Sequence, residues 1–339
     1  MPVTSISTLV SKAANTAERE FELSLRPRRL AEFIGQRNVV ENLSVYIQAA
    51  RKRNEALDHI LFSGMPGLGK TTLANLISTE LGSNMHATSG PALERAGDLV
   101  GILTNLESND VLFIDEIHRL PAPVEEFLYS AMEDFHVDIQ LDQGPAARSV
   151  RVNLKRFTLV GATTREGLLS SPFRARFGVL ERLDPYPASD ILEIVLRSAK
   201  LLDLPLEPAA AELISQRARG TPRVANRILR RLRDVAQVKG KGKLTLALAE
   251  QGLVMLGIDA QGLTELDRRI LKVIADQGGG PIGLKTIAVA VGEEEDTIED
   301  TYEPHLIREG LLAKTPRGRK LTEKALGLLG KRAAGLPFS

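Results

Sequence analysis

The chain has 339 residues, 44 Lys and Arg against 43 acids, and no cysteine. That length accommodates two or three domains, and the missing thiols exclude disulfides, thiolate metal sites and a cysteine nucleophile, which fits a reducing compartment and predicts a cytoplasmic protein. With a formal net charge of +1, any nucleic acid must be met by local basic patches; no apolar run approaches a membrane span and the polar residues 4–20 do not suit a signal peptide, so no membrane partner is expected.

Residues 1–20, rich in Ser, Thr and Ala, read as a tail. Apolar residues at helical spacing from Val39 to Arg53 predict a helix, and Ile60–Ser63 a buried strand. That strand runs directly into Gly64-Met65-Pro66-Gly67-Leu68-Gly69-Lys70-Thr71, a Gly-x-x-x-x-Gly-Lys-Thr phosphate loop followed by a helical pattern from Thr72. Gly64, Gly67 and Gly69 let the backbone aim its N–H groups at phosphate oxygens, and the helix adds its positive end. Lys70 then faces the β/γ-phosphates of a nucleoside triphosphate and Thr71 ligates Mg²⁺. Met85–Thr88 reads as the next strand and Val111–Ile114 as another, ending in Asp115-Glu116. A buried parallel strand wants the apolar run; it does not want adjacent acids at the carboxyl end, where open α/β sheets hold ligands. Asp115 is expected on Mg²⁺ through water, and Glu116 to orient or deprotonate the attacking water.

Between Val137 and Leu154 the pattern alternates around Gly144-Pro145 as in a hairpin inserted before the strand Phe157–Gly161, a candidate lever or docking surface. Thr164, just past that strand, is a candidate sensor of the γ-phosphate. Arg176, in Phe173-Arg174-Ala175-Arg176-Phe177-Gly178, falls at the sheet edge, where it cannot easily reach its own nucleotide but could reach a neighbour's. An arginine supplied in trans is worth roughly 10³–10⁵ in rate. The alternation of strands and helices predicts an α/β fold, a parallel sheet with helices on both faces.

After Tyr186-Pro187 the strands stop and residues 191–256 read as helical. Arg223 lies in the first turn of a helix starting near Pro222, where a cation opposes the dipole, so a triphosphate is its natural counter-ion; the basic stretch 227–233 reads as a solvated face. From Gln261-Gly262 three helices (266–275, 284–291, 294–309) and a two-stranded hairpin give the outline of a winged helix. Its third helix carries Glu293, Glu294, Glu295, Asp296, Glu299 and Asp300, which phosphates would repel, whereas Lys314, Arg317, Arg319 and Lys320 surround a glycine turn. Contact with duplex DNA is therefore expected through the wing and to the backbone, without sequence readout. The expected division is 21–184 with the hairpin 137–154 inserted, 185–257, 258–330, and a tail at 331–339.

Leu25-Arg26-Pro27, Gly64–Thr72, Asp115–Leu120, Gly144–Arg148, Gly161–Arg165, Arg176–Gly178, Gly220–Asn226 and the run from Thr297 to Arg319 closely resemble the RuvB family of AAA+ Holliday-junction branch-migration motors, over roughly residues 22–322. The resemblance implies an ATPase domain, an all-α lid and a winged helix that work in recombination and DNA repair, as a ring, typically a hexamer, on four-way junction and duplex DNA. It implies ATP and Mg²⁺ as cofactors, a RuvA-type junction-binding protein docked on the hairpin, and a RuvC-type resolvase as a further partner. Under it Lys70, Thr71 and Thr72 bind phosphate and metal, Asp115 and Glu116 form the Walker B pair, Thr164 is sensor 1, Arg176 the trans finger and Arg223 sensor 2. Leu25, Arg26, Tyr186 and Pro222 surround the base, and Glu133, Asp134 and Phe135 lie near the neighbouring subunit's nucleotide. Met65 replaces the usual Pro and Glu295 stands where relatives often carry Arg. The rivals are a clamp or helicase loader, against which the Pro316–Arg319 wing argues, and a nucleotide-gated transcription regulator, against which the acidic third helix and the intact acid pair argue.

Overall fold

The computed structural model describes residues 23–140 and 149–330; the two tails and the hairpin tip at 141–148 lie outside the described residues. The chain divides at Asp184/Pro185 into two compact units.

The first unit opens with α1 (Arg37–Arg53), whose buried Val39, Leu43, Ile47 and Ala50 recur every three or four residues and so line one face. Then come β1 (Ile60–Ser63), α2 (Lys70–Leu81), β2 (Met85–Ser89), α3 (Ala96–Leu103), β3 (Val111–Asp115), α4 (Ala122–Glu133), the hairpin strands β4 (His136–Gln140) and β5 (Ser149–Asn153), β6 (Thr158–Thr163), the short α5 (Ser171–Arg174) and β7 (Val179–Arg182). The sheet runs β2-β3-β6-β1-β7, with every pairing parallel. β1 and β6 are buried throughout, as strands covered on both faces must be. α2 packs on β3 and β6, so the loop before it is set at the carboxyl edge of the sheet. One core gathers Leu112, Ile114, Leu128, Phe157, Leu159 and Phe173, and the base of the hairpin joins it through Val137.

Three strands extend slightly past their predicted ends, and β7 is an addition. Its Val-Leu-Glu-Arg sequence tolerates two charges in four residues because it lies at one edge of the sheet, with Leu180 exposed.

In the second unit α6 (Ala188–Leu201), α7 (Pro208–Arg217), α8 (Pro222–Lys239) and α9 (Leu246–Met255) pack on one another around small and branched side chains such as Ala211, Ile214, Ala225, Leu229 and Ala249. The same unit continues into α10 (Glu265–Asp276), α11 (Leu284–Val291), α12 (Glu295–Thr297), a π-helical turn over Ile298–Tyr302, α13 (Glu303–Arg308), the wing strands β8 (Leu312–Thr315) and β9 (Gly318–Leu321), and α14 (Glu323–Leu328). Thr315 pairs with Gly318, so Pro316 and Arg317 alone turn the wing, and Ile282 adds a bridge to Arg319 on its far side. Among the described residues no helix is long and apolar enough to cross a membrane.

Candidate active site

The phosphate loop leaves β1 through Gly64, whose φ of 138° and 2.5 Å clearance from the Leu183 carbonyl to any added Cβ admit only glycine. Its N–H donates to the Thr163 carbonyl at 3.2 Å, while Leu183 N–H donates to Ser63 O at 2.8 Å, so the loop is rooted between β6 and β7. Gly67 and Gly69 also have positive φ. Lys70 is buried, and its Nζ donates to the Gly64 and Met65 carbonyls at 2.6 and 3.0 Å, which holds the ammonium over the concave face of its own loop. Thr71 and Thr72 follow in the first turn of α2, where unpaired N–H groups and the helix dipole favour an anion.

At the end of β3, Glu116 adopts a left-handed backbone with φ 49°, and its N–H donates to Asp115 Oδ1 at 3.0 Å. Its carboxylate Oε2 accepts from Thr164 Oγ1 at 3.3 Å and lies 3.4 Å from His118 Nδ1. That imidazole is buried and is 2.9 Å from Thr163 Oγ1, which accepts the Arg165 N–H at 3.0 Å. The ends of β3 and β6 thus meet in one polar network that brings together the predicted Asp115, Glu116 and Thr164. His118 and Thr163 are additions; the signal was a histidine two residues past the acid pair.

The donor set fits Mg²⁺. Magnesium takes one or two protein oxygens and fills its octahedron with water and phosphate oxygens, and Thr71 and Asp115 offer a hydroxyl and a carboxylate at the same sheet edge.

Arg176 packs against α4. Its guanidinium stacks 4.3 Å above the Tyr129 ring, Nη1 donates to Pro172 O at 2.7 Å, and Nε is 3.2 Å from Glu133 Oε1 without hydrogen-bond alignment. Glu133 and Arg176, both assigned by resemblance to a neighbour's nucleotide, are therefore partners on one surface. Asp134 is exposed beside them. Phe135 is not available in the same way: its ring meets Phe157 edge-on at 5.9 Å, with the Arg156 guanidinium 4.9 Å from its centroid. Leu25 is buried and Arg26 half-buried. In the second unit, Tyr186 N–H donates to Gly220 O at 2.9 Å, so Tyr186 adjoins the turn leading to Pro222 and the exposed Arg223.

The wing requires a correction. Arg319, expected on DNA, turns inward: Nη2 donates to Glu303 Oε2 at 3.1 Å and Glu299 Oε1 at 3.3 Å, Nε donates at 2.5 Å to Glu303 Oε1, and Glu303 is itself buried. A guanidinium so committed neutralises the third helix and not a phosphate. Lys314 is exposed but rests 2.6 Å from Glu299, whereas Arg317 and Lys320 are exposed at and beside the turn.

Residues 25–183 match the family described as the Holliday junction DNA helicase RuvB P-loop domain, 186–259 the RuvB AAA lid domain, and 260–330 the RuvB C-terminal winged helix domain. The chain belongs to the RuvB family. It is 58% identical to the Holliday junction branch migration complex subunit RuvB of Myxococcus xanthus over 317 residues, covering 93% of this chain and 92% of that one. The corresponding RuvB subunit of Chloroflexus aggregans is 56% identical, with 97% of this chain and 93% of the other covered. Among solved structures, the RuvB Holliday junction branch migration motor of Thermotoga maritima superposes with a TM-score of 0.83 at 50% identity, over 93% of this chain and 100% of that one.

Proposed function

We propose that the chain is an ATP-driven DNA motor that moves Holliday junctions in recombination and repair. The observation that carries this is the conjunction, in one RuvB chain, of an intact phosphate loop with the Asp115–Glu116–Thr164 network at the same sheet edge. Lys70 and the loop amides bind the ATP phosphates, and Thr71 and Asp115 hold Mg²⁺, which when bound neutralises charge on those phosphates. Glu116 takes the proton of the attacking water, and Thr164, bonded to the same carboxylate, ties its orientation to the end of β6. Arg176 serves the nucleotide of an adjacent subunit, with Glu133 and Asp134 on the same face. By the family resemblance, Leu25, Arg26, Tyr186, Pro222 and Arg223 are assigned to the nucleotide.

DNA is held through its backbone by Arg317, Lys314 and Lys320, which suits a motor indifferent to sequence. A RuvA-type partner docks on the hairpin 137–154, a RuvC-type resolvase acts on the same junction, and the working ring is a cytoplasmic hexamer. The domain limits 21–184, 185–257 and 258–330 serve as the working division.

A synthetic four-way junction incubated with the protein and a junction-binding partner tests this reading. Separated duplex products that require ATP support it; an unchanged junction with ATP consumed identifies a loader instead.

A further inference from the structure

α7 ends at Arg217 and α8 begins at Pro222, and the turn between them is unusually constrained. Arg219 and Gly220 both have left-handed backbones, at φ 58° and 66°. A Cβ on Gly220 would lie 2.9 Å from Tyr186 O, and the Gly220 carbonyl accepts from Tyr186 N–H. The side chain of Arg219 does not stay with its own helical bundle. Nε donates to Gly262 O at 3.2 Å, Nη1 lies 3.4 Å from Asp267 Oδ1, and Nη2 bonds Asp267 Oδ2. Arg219 is 11% exposed and Asp267 is fully buried.

Asp267 is not a spare acid. It closes the capping box of α10 by accepting from Thr264 N–H at 2.6 Å, so the guanidinium is locked onto the first turn of the winged helix. From a second element of the same domain, Arg308 Nη2 at the end of α13 donates to the Arg219 carbonyl at 2.7 Å. Two separate elements of the winged helix therefore grip one residue of the turn, by its side chain and by its backbone. A buried ion pair is a poor source of stability compared with apolar packing, but a planar fork on a carboxylate fixes angle as well as distance.

We propose that Arg219 is a positioning residue that fixes the start of α8, and with it Arg223 and Tyr186, to the winged helix, so that nucleotide binding and DNA binding are coupled. This rests on the reading above, in which Arg223 meets nucleotide and the wing meets DNA. The next turn of chain after the clamp carries Arg223, and Gly220 leaves no slack on the Tyr186 side. Any shift of Arg223 that follows the nucleotide must then be shared by the capping box of α10.

Coupling is measurable because it is reciprocal: the factor by which nucleotide changes DNA affinity equals that by which DNA changes nucleotide affinity, typically about 5–150-fold. The full-length protein is titrated with a fluorescent duplex, with and without a slowly hydrolysed ATP analogue, in the wild type, Arg219→Lys and Arg308→Ala. Arg219→Lys keeps a charge beside Asp267 while losing the fork, and Arg308→Ala removes only the grip on the carbonyl, which guards against loss of folding in the first variant.

The expected result is a coupling factor that falls towards one in Arg219→Lys and partway in Arg308→Ala, while each ligand alone binds within about twofold of wild type. A purely structural clamp would lower both separate affinities and leave their ratio unchanged, and that outcome overturns the proposal. A wild type with no coupling overturns it too; if Arg223→Ala then binds the analogue normally or Arg317→Ala binds duplex normally, the failure lies in the functional reading and not in the joint.

Discussion

Glu116 occupies a left-handed conformation that costs a non-glycine residue roughly 1–2 kcal/mol, a strain that the fold sustains where Asp115, Thr164 and His118 converge. Glu116→Gln keeps the shape and leaves the phosphate loop intact but removes the proposed base. Turnover should fall by roughly 10²–10⁴ while nucleotide affinity, followed with a fluorescent analogue, stays level; equal loss of both would remove the assigned role. At a second residue, His305, burial and the neighbouring Arg219 and Arg308 push the imidazole down to about 4, against the pull of Asp267. Because the folded value lies below the unfolded 6.5, the unfolded chain binds the extra proton first. Stability should therefore fall as pH drops from about 6.5 towards 4, by at most about 1.4 kcal/mol per pH unit for this group, and flatten below. Buried His59, whose Nδ1 accepts the Leu159 N–H, shifts in the same direction through burial and adds to the acid limb. Denaturant melts at several pH values should show a shallower acid limb in His305→Gln. Neither histidine was legible as a pH-sensitive group, because a lone histidine in sequence carries no sign of what surrounds it; the glycine loop before Lys70 and the apolar strand ending in Asp115 were legible as elements, because both are written in local spacing.

The hairpin shows how an element can serve two surfaces. Val137 and Val152 are paired, as are Ile139 and Val150, so all four share one face. Along it burial gives way stepwise, from Val137 in the core, through Ile139 and Val152 packed against it, to Val150 at 44% exposure. The opposite face carries the Asp138–Arg151 ion pair, which holds the Asp138 carboxyl below its ordinary range. Anchors for a partner must come from the exposed end of the apolar face, and Leu141 lies outside the described residues. Val150→Ser should thus reduce stimulation by a RuvA-type partner and spare basal ATPase, whereas Ile139→Ser and Val152→Ser should also lower the melting temperature; unchanged stimulation in Val150→Ser would place docking elsewhere. The wing divides similarly. Replacing Arg317 or Lys320 by Ala should flatten log K for duplex DNA against log salt by about 0.9 for each phosphate no longer neutralised. Arg319→Ala should instead destabilise the domain by about 3–5 kcal/mol, since it strands the buried Glu303. The alternating pattern and the basic turn were readable from sequence. Which basic residue faces outward was not, because the Glu303–Arg319 pairing depends on two elements meeting in space, and β7 escaped notice because an exposed edge strand has too few apolar residues to signal itself.

At the scale of the proposed ring the residue to test is Arg176, which in the single chain is held by its own subunit. Apart from the Nη1 hydrogen bond to Pro172 O within the same stretch of chain, the restraints are slight. An ion pair to a carboxylate as exposed as that of Glu133 contributes about 0–1 kcal/mol, and a cation stacked on a surface tyrosine about 0.5–1 kcal/mol. A triphosphate presented by an adjacent subunit offers more charge than Glu133 does, so the guanidinium can leave Tyr129 when a ring forms. If it then acts in trans, each catalytic centre is split between two chains: Lys70, Asp115 and Glu116 from one, Arg176 from the next. Arg176→Ala and Lys70→Ala should each be inactive alone, the first by roughly 10³–10⁵ in turnover. Mixed in one ring, they form some interfaces that pair an intact Lys70 with an intact Arg176, and ATPase should return in proportion to those interfaces, rising and then falling as the mixing ratio is varied. Co-assembly is checked by light scattering on the same samples. Mixed rings that form and remain inactive at every ratio would mean that Arg176 works within its own chain, through Glu133 and Tyr129, and that the active site is not shared between subunits.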